Sequence, residues 1–265
     1  MDYPRVIHIE TTGRCNSHCV FCPHSRSYRR LMDMPQILFE KILKDVKDIP
    51  QRVIIVPLKL GEPLVDPLFS KRLLQIDEQL PEAYLELHTN LNILPREFIP
   101  TLRKLRRVNH IWVSLNYYTA ASYQAATGMK FDQTLYNIKK LLEARLPHTI
   151  AIGRVLDYTI EDQKWLDWVR RTFPQAKPAF LHRGDWCNNI ETPNTINDGF
   201  CKRTLEVSIC CDGKVALCCM DGLCEYPLGD ITKEHILEVY NGSKASALRR
   251  MTQRLQEPCA SCTFV

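Results

Sequence analysis

Long apolar runs are missing from this 265-residue chain, and none suffices to cross a bilayer as a helix. The opening residues carry no basic segment followed by an apolar core, so nothing marks the chain for export. Internal repeats and low-complexity tracts are also lacking. So is charge of one sign. The net charge is +5, and the basic residues are dispersed apart from short clusters such as Arg103-Lys104-Leu105-Arg106-Arg107. That cluster suits the solvated face of a helix, and the charge balance demands no nucleic acid as partner. The remaining composition, 45% hydrophobic and 25% charged, is ordinary for a globular protein and leaves room for one large domain or a domain plus a small appendage.

Cysteine is the exception, with twelve residues. In a chain without export signals, that number points to metal binding rather than disulfides. The expectation is a cytoplasmic protein with reduced thiols.

The first two thirds of the chain alternate strand-like and helix-like segments. β-Rich runs occur at Val6 to Glu10, Val53 to Leu60, Tyr84 to Thr89, Ile111 to Leu115, Thr149 to Val155 and Ala179 to His182. Amphipathic stretches lie between them, at Pro35 to Asp48, Pro67 to Gln79, Pro95 to Arg107, Phe131 to Ala144 and Ile160 to Phe173. In the first of these, Ile37, Leu38, Ile42, Leu43 and Val46 fall at helical spacing. Such alternation predicts parallel strands joined by right-handed crossovers, in either a doubly wound sheet or a partial barrel. A polar stretch, Asn188 to Asp198, reads as a linker. A hairpin follows, Leu205 to Cys211 and Lys214 to Cys219, turning at Asp212-Gly213, and then helices over Lys233 to Tyr240 and Lys244 to Leu255.

Three cysteines crowd the loop after the first strand: Cys15, Cys19 and Cys22, within Gly13-Arg14-Cys15-Asn16-Ser17-His18-Cys19-Val20-Phe21-Cys22. Thiolates this close can hold one metal centre. Three ligands are one short of closing a four-iron cluster, and the open iron can bind a small molecule. A zinc site of Cys15, Cys19, Cys22 and His24 is the plainer alternative.

The Cys-x3-Cys-x2-Cys spacing, with Phe21 before the last cysteine, resembles the signature of the radical S-adenosylmethionine enzymes. The resemblance implies an α/β fold, a partial (β/α)6 TIM-type barrel. It also implies a [4Fe-4S] cluster on these thiols whose open iron chelates S-adenosylmethionine. Gly61, Glu62 and Pro63 resemble the family's Gly-Gly-Glu-Pro step, with Leu60 in place of the first glycine, and would contact the methionine amino group. Thr89 and Asn90 resemble its Thr-Asn-Gly step without the glycine. Ser114 is expected near the methionine carboxylate, Asn116 near the ribose, and Arg154 either at the carboxylate or substrate or in an ion pair. His182, Arg183 and Asp185 follow the sixth strand and suit orienting a polar substrate or moving a proton. Trp186, beside them, suits packing against the appended segment. Cys187 is a candidate hydrogen donor there.

Cys201, Cys218, Cys259 and Cys262 form a second set around the hairpin. With Asp212-Gly213-Lys214-Val215, Leu217-Cys218, Asp221 and Leu228-Gly229-Asp230-Ile231, they resemble the SPASM or shorter twitch domains of that family. The resemblance implies a small C-terminal α+β domain over 188–265, after a core over 1–187, holding a second, closed [4Fe-4S] cluster. A structural zinc ribbon is the alternative, and Cys219 or Cys211 could replace Cys218. The chain ends at Val265, which suggests the single-cluster twitch type. The whole is similar to the small dehydrogenases of aminoglycoside biosynthesis of the 2-deoxy-scyllo-inosamine dehydrogenase type. It implies a small polar substrate of sugar or aminocyclitol class, oxidised in natural-product biosynthesis, with electrons from a flavodoxin or ferredoxin-type donor. Radical epimerisation and ribosomal-peptide maturation are the rivals. The second suffers from the lack of room for a leader-binding domain before Val6. A non-catalytic iron–sulfur or zinc protein is the rival from another class.

Overall fold

The computed structural model describes residues 1–193, 195–196 and 199–263. Asn194, Asn197 and Asp198 of the expected linker, and the last two residues, lie outside the described residues.

The chain runs β1 (Val6–Ile9), α1 (Gln36–Val46), β2 (Ile54–Val56), α2 (Phe69–Gln79), β3 (Tyr84–Thr89), α3 (Phe98–Leu102), β4 (Val108–Ser114), α4 (Ala120–Thr127), α5 (Phe131–Glu143), β5 (Ile150–Val155), α6 (Ile160–Thr172) and β6 (Lys177–Leu181). Then come β7 (Glu206–Ile209), β8 (Lys214–Ala216), β9 (Gly229–Asp230), α7 (Ile236–Asn241) and α8 (Ser243–Arg250). One sheet holds all nine strands, in the order β6-β5-β4-β3-β2-β1-β7-β8-β9. The first six are parallel and stand in sequence order. A doubly wound sheet reverses order at a switch point. A monotonic order with right-handed crossovers puts every helix on one face instead, so the sheet curls into an open partial barrel.

The two faces differ accordingly. Ile7, Ile9, Ile55, Leu85, Leu87, Ile111, Val113, Ile152, Val207 and Ile209 belong to the buried core shared with the helices. The alternating positions, His8, Glu86, His88, His110, Trp112 and Ser208, face the concave lumen. Gly153 makes room there, because a Cβ on it would lie 1.8 Å from Trp112 Cζ2.

β7 pairs in parallel with β1, so the hairpin of β7 and β8 extends the barrel sheet at its β1 edge. The Asp212-Gly213 turn is as expected, with Gly213 at φ 92°. Several elements differ from the sequence reading: β2 covers only Ile54–Val56 of the expected Val53–Leu60, and α8 ends at Arg250 rather than Leu255. α4 was not expected, although Thr119 caps its start and Gly128, at φ 72°, ends it; its apolar periodicity is weak. α3 covers only five residues, which shortens the expected Pro95–Arg107 helix. Among the described residues, no helix is long and apolar enough to cross a membrane.

Candidate active site

The loop of Cys15, Cys19 and Cys22 is held from outside. His18 N donates to Thr127 O at 2.8 Å and Val20 N to Ala126 O at 3.0 Å, so the end of α4 pins it. Cys22 N closes a turn on Cys19 O at 3.1 Å. Ser17 Oγ lies 3.1 Å from Cys15 Sγ and 3.5 Å from Cys19 Sγ. Burial, opposed in part by Ser17, pushes the Cys15 thiol up to about 11. Burial, with the neighbouring Cys19 and Cys15, pushes Cys22 up to about 12. Three half-buried thiols that disfavour ionisation are stabilised as thiolates by a cationic centre, and an iron cluster would provide one. His24 takes no part in such a donor set through Nε2, which is bonded to Gly13 O at 2.7 Å.

Gly61 and Glu62 join strand two to that loop. A Cβ on Gly61 would sit 2.2 Å from Thr12 O and 2.7 Å from Arg14 O, so only glycine allows the approach. Glu62 N donates to Arg14 O at 2.8 Å. The Glu62 carboxylate is buried and accepts from Thr89 Oγ1 at 2.6 Å, Asn90 N at 2.7 Å and Leu64 N at 3.1 Å. Burial raises its carboxyl to about 7, against the pull of those three donors. Asn90 Nδ2 reaches Asn16 Oδ1 at 2.8 Å, within the cysteine loop. Glu62 therefore stands beside the thiols with one of its four acceptor positions left for a ligand donor.

Strand-end residues beyond are tied to one another. Ser114, half-buried, is the last residue of β4. Asn116 Oδ1 accepts from Val155 N at 2.7 Å. Arg154 is buried, and its guanidinium binds Asp162 at 2.7 Å, Asp157 at 2.5 Å and the Asn116 carbonyl. Its place is in an ion-pair network that sets the Asn116 backbone. Arg183 joins the same network through Asp157 at 2.5 Å. His182 Nδ1 meets Tyr158 Oη at 2.8 Å in an exposed position.

Asp185 and Cys187 face the C-terminal segment. Asp185 is buried, accepting from Cys187 N at 3.1 Å and Thr263 N at 2.8 Å, so it clasps the chain end. Trp186, Cys187 and Asn188 all have positive φ, of 52°, 54° and 65°. Trp186 Nε1 donates to Phe21 O at 3.0 Å, and its ring packs so closely on Gly222 that a Cβ there would lie 2.9 Å away. Cys187 is buried against Cys218 and donates its S–H to it, which raises the Cys187 thiol and lowers that of Cys218.

Cys201, Cys218, Cys259 and Cys262 are brought together. Burial raises Cys259 to about 12, and its charge neighbours are Cys218, Cys201, Cys262 and Arg254. Cys219 lies elsewhere, beside His8 and Glu206. Cys211 is in the hydrophobic core, its N–H on Glu10 Oε2 at 3.0 Å. Asp221 organises the loop, accepting from Leu217 N, Glu225 N and Tyr226 N at 3.2, 2.9 and 3.2 Å.

Sequence reasoning missed the buried ion pair of Arg29 and Glu10, at 2.8 Å. Arg29 also binds Gly222 O at 2.7 Å and Leu223 O at 3.1 Å, tying the cysteine loop to the appended hairpin. Nothing in Tyr28-Arg29-Arg30 marks which arginine is buried. His88 was also passed over; burial, with His110, His8 and Arg203 nearby, lowers it to about 3 and keeps it neutral.

With this geometry in place, the chain can be set against known proteins. Residues 9–169 match the model of the radical SAM superfamily. Residues 201–263 match that of SPASM, an iron–sulfur cluster-binding domain. A tungsten-containing aldehyde ferredoxin oxidoreductase cofactor-modifying protein from Pyrococcus furiosus is 28% identical over 171 residues, which are 63% of this chain and 47% of that protein. The chain thus spans about half the length of that curated relative. Among solved structures, BtrN in complex with AdoMet and 2-DOIA has a TM-score of 0.69 at 18% identity, covering 100% of this chain and 95% of that one. Streptococcus suis SuiB bound to precursor peptide SuiA has a TM-score of 0.74 at 14% identity, covering 99% and 70%. Native anSMEcpe with AdoMet and Cp18Cys peptide scores 0.73 at 14%, covering 97% and 85%. These likenesses show the fold.

Proposed function

Because the chain belongs to the radical SAM superfamily and carries a SPASM iron–sulfur domain, we propose that it is an oxidoreductase acting on a small polar substrate, of sugar or aminocyclitol class. Its cofactors are [4Fe-4S] clusters and S-adenosylmethionine. In this reading Cys15, Cys19 and Cys22 hold the first cluster, and Cys201, Cys218, Cys259 and Cys262 the second. When bound, the first with S-adenosylmethionine supplies a 5′-deoxyadenosyl radical that abstracts hydrogen, and the second supplies an acceptor for one further electron.

The chain's own residues do the positioning. Glu62 receives the methionine ammonium at its remaining acceptor position, held by Thr89, Asn90 and Leu64. Ser114 and Asn116 face the carboxylate and ribose, and Arg154 keeps the Asn116 backbone in place. His182, bonded to Tyr158 at 2.8 Å, lies at the strand-six end, where the alcohol proton can leave. An alcohol carbon becoming a ketone loses one hydrogen atom, one proton and one electron. That electron would go to the second cluster, which Cys201, Cys218, Cys259 and Cys262 would hold.

The convergence of four thiols carries this reading, since four ligands leave no iron free for substrate. BtrN, seen with AdoMet and 2-DOIA, supports a small substrate. Epimerisation, with the buried Cys187 as hydrogen donor, is the rival reaction. Peptide modification is a second reading, favoured by the peptide-bound SuiB and anSMEcpe neighbours. Turnover of candidate aminocyclitols in deuterium oxide tests the choice. Oxidation yields a product two mass units lighter with no deuterium at the reacting carbon. Deuterium there without an oxidised product overturns the reading in favour of epimerisation.

A further inference from the structure

The lumen face also carries Glu86 and His88 on β3 and His110 on β4. Leu85, Leu87, Ile111 and Val113 lie in the helix-side core, so these three half-buried polar residues share the opposite face. Their alignment depends on a register shift. Leu85 pairs with Val108, but Glu86 pairs with His110, so β4 carries one extra residue, Asn109. In even register Asn109 would oppose Glu86. The bulge brings the imidazole there instead, as bulges re-aim side chains. Displaced Asn109 bonds Glu86 Oε1 through Nδ2 at 3.2 Å and holds the carboxylate in place.

His88 is set by other neighbours. It pairs across the strands with Trp112 and stacks on its ring, with centroids 6.0 Å apart and planes 28° apart. Trp112 in turn lies flat over Gly153. The His88 and His110 rings meet edge to face at 5.5 Å. One donor atom from each of Glu86, His88 and His110 lies within 4.8 Å of the others. Among the described residues, no hydrogen bond occupies either imidazole and no cation pairs with Glu86. The other such trio, His8, Glu206 and Cys219, differs, because Glu206 is already bonded to His8 at 3.0 Å and to Arg203 at 2.9 Å.

We propose that Glu86, His88 and His110 bind a divalent first-row transition-metal ion, as a two-histidine, one-carboxylate site on the lumen face. Imidazole and carboxylate together suit zinc, iron(II), cobalt or nickel rather than magnesium or calcium. Three ligands from one sheet face leave the ion's remaining positions on the lumen side, open to water or to hydroxyl and amine groups of a small molecule. Asn109 holds Glu86 and Trp112 stacks beside His88, which orients both ligands. This site requires no thiol and does not rest on the radical chemistry.

The test uses the cluster-loaded full chain, stripped with chelator and dialysed against Zn²⁺ alone, with zinc and iron counted and the zinc K-edge absorption recorded. The expected result is one zinc per chain with nitrogen and oxygen neighbours at about 2.0–2.1 Å. Glu86→Gln and His110→Gln should each weaken zinc binding at least tenfold while iron content and the melting curve stay as in the wild type. Two substitutions on separate strands guard against one that misfolds. Zinc with sulfur neighbours at about 2.3 Å, no zinc retained, or unchanged affinity in both folded variants overturns the proposal.

Discussion

Cys15, Cys19 and Cys22 fall within eight consecutive residues, whereas Cys201, Cys218, Cys259 and Cys262 are scattered over sixty-two. The first loop is fixed by the surrounding fold. Backbone bonds to α4, the Gly61 contact and the Arg29–Glu10 pair all hold it. The second set is joined across the chain end by bonds that include Asp185 to Thr263 N at 2.8 Å, Asn188 Nδ2 to Ser261 Oγ at 2.7 Å and Arg254 Nη1 to Cys262 O at 3.4 Å. Closing a larger loop costs more chain entropy. In the proposed reading, a metal on the distributed set would therefore act as a fold staple, and a metal on the compact set mainly as a reagent.

Removing each set separates the two. Cys259→Ala with Cys262→Ala should lower the iron from about eight to about four, one cubane lost. It should also lower the melting temperature and open residues 251–263 to protease. The triple change of Cys15, Cys19 and Cys22 to Ala should lose as much iron and leave melting nearly unchanged. Iron analysis with limited proteolysis checks both, and equal melting of the two variants breaks the comparison.

Gly61→Ala should damage the compact loop without touching any thiol. Its Cβ meets Thr12 O at 2.2 Å, so the loop backbone must move. The expected outcome is loss of the first cluster's iron and of S-adenosylmethionine binding, with the second cluster retained.

Glu62→Gln sharpens the comparison on the cofactor side. It should weaken S-adenosylmethionine binding roughly ten- to hundredfold, the worth of about 1.5–3 kcal/mol for a charge-assisted hydrogen bond, with iron unchanged. Equilibrium binding measures it. The pH dependence follows from burial. Glu62 has a carboxyl raised from 4.5 to about 7, so in the free protein it is protonated below that point. Binding of the ammonium should tighten as pH rises from about 6 to 8. The stability sign is opposite: between 4.5 and about 7 the folded state holds the proton that the unfolded chain has released, so this group lowers stability as pH rises.

What was legible in the sequence tracks locality. Cys15, Cys19 and Cys22, the Gly61-Glu62-Pro63 step and the Asp212-Gly213 turn are local patterns, and each lies in the element or loop that its spacing suggested. The six parallel strands followed from alternation, and the partial barrel from the resemblance. Distant pairings were not legible. The parallel docking of β7 on β1, the seat of Cys187 against Cys218, and the Arg29–Glu10 pair join residues far apart in the chain. His110 was hidden for a subtler reason: a single bulged residue decides which side chain opposes Glu86, and no local propensity records it.

The most direct test of the central claim, two clusters of which one binds S-adenosylmethionine, is electron paramagnetic resonance of the reduced, reconstituted chain with and without S-adenosylmethionine. The account predicts two reduced-cluster signals in the wild type, of which one shifts on addition. In the Cys15, Cys19 and Cys22 to Ala variant, the remaining signal should not respond. A single signal, zinc in place of iron at either set, or a response that survives the triple substitution would contradict it.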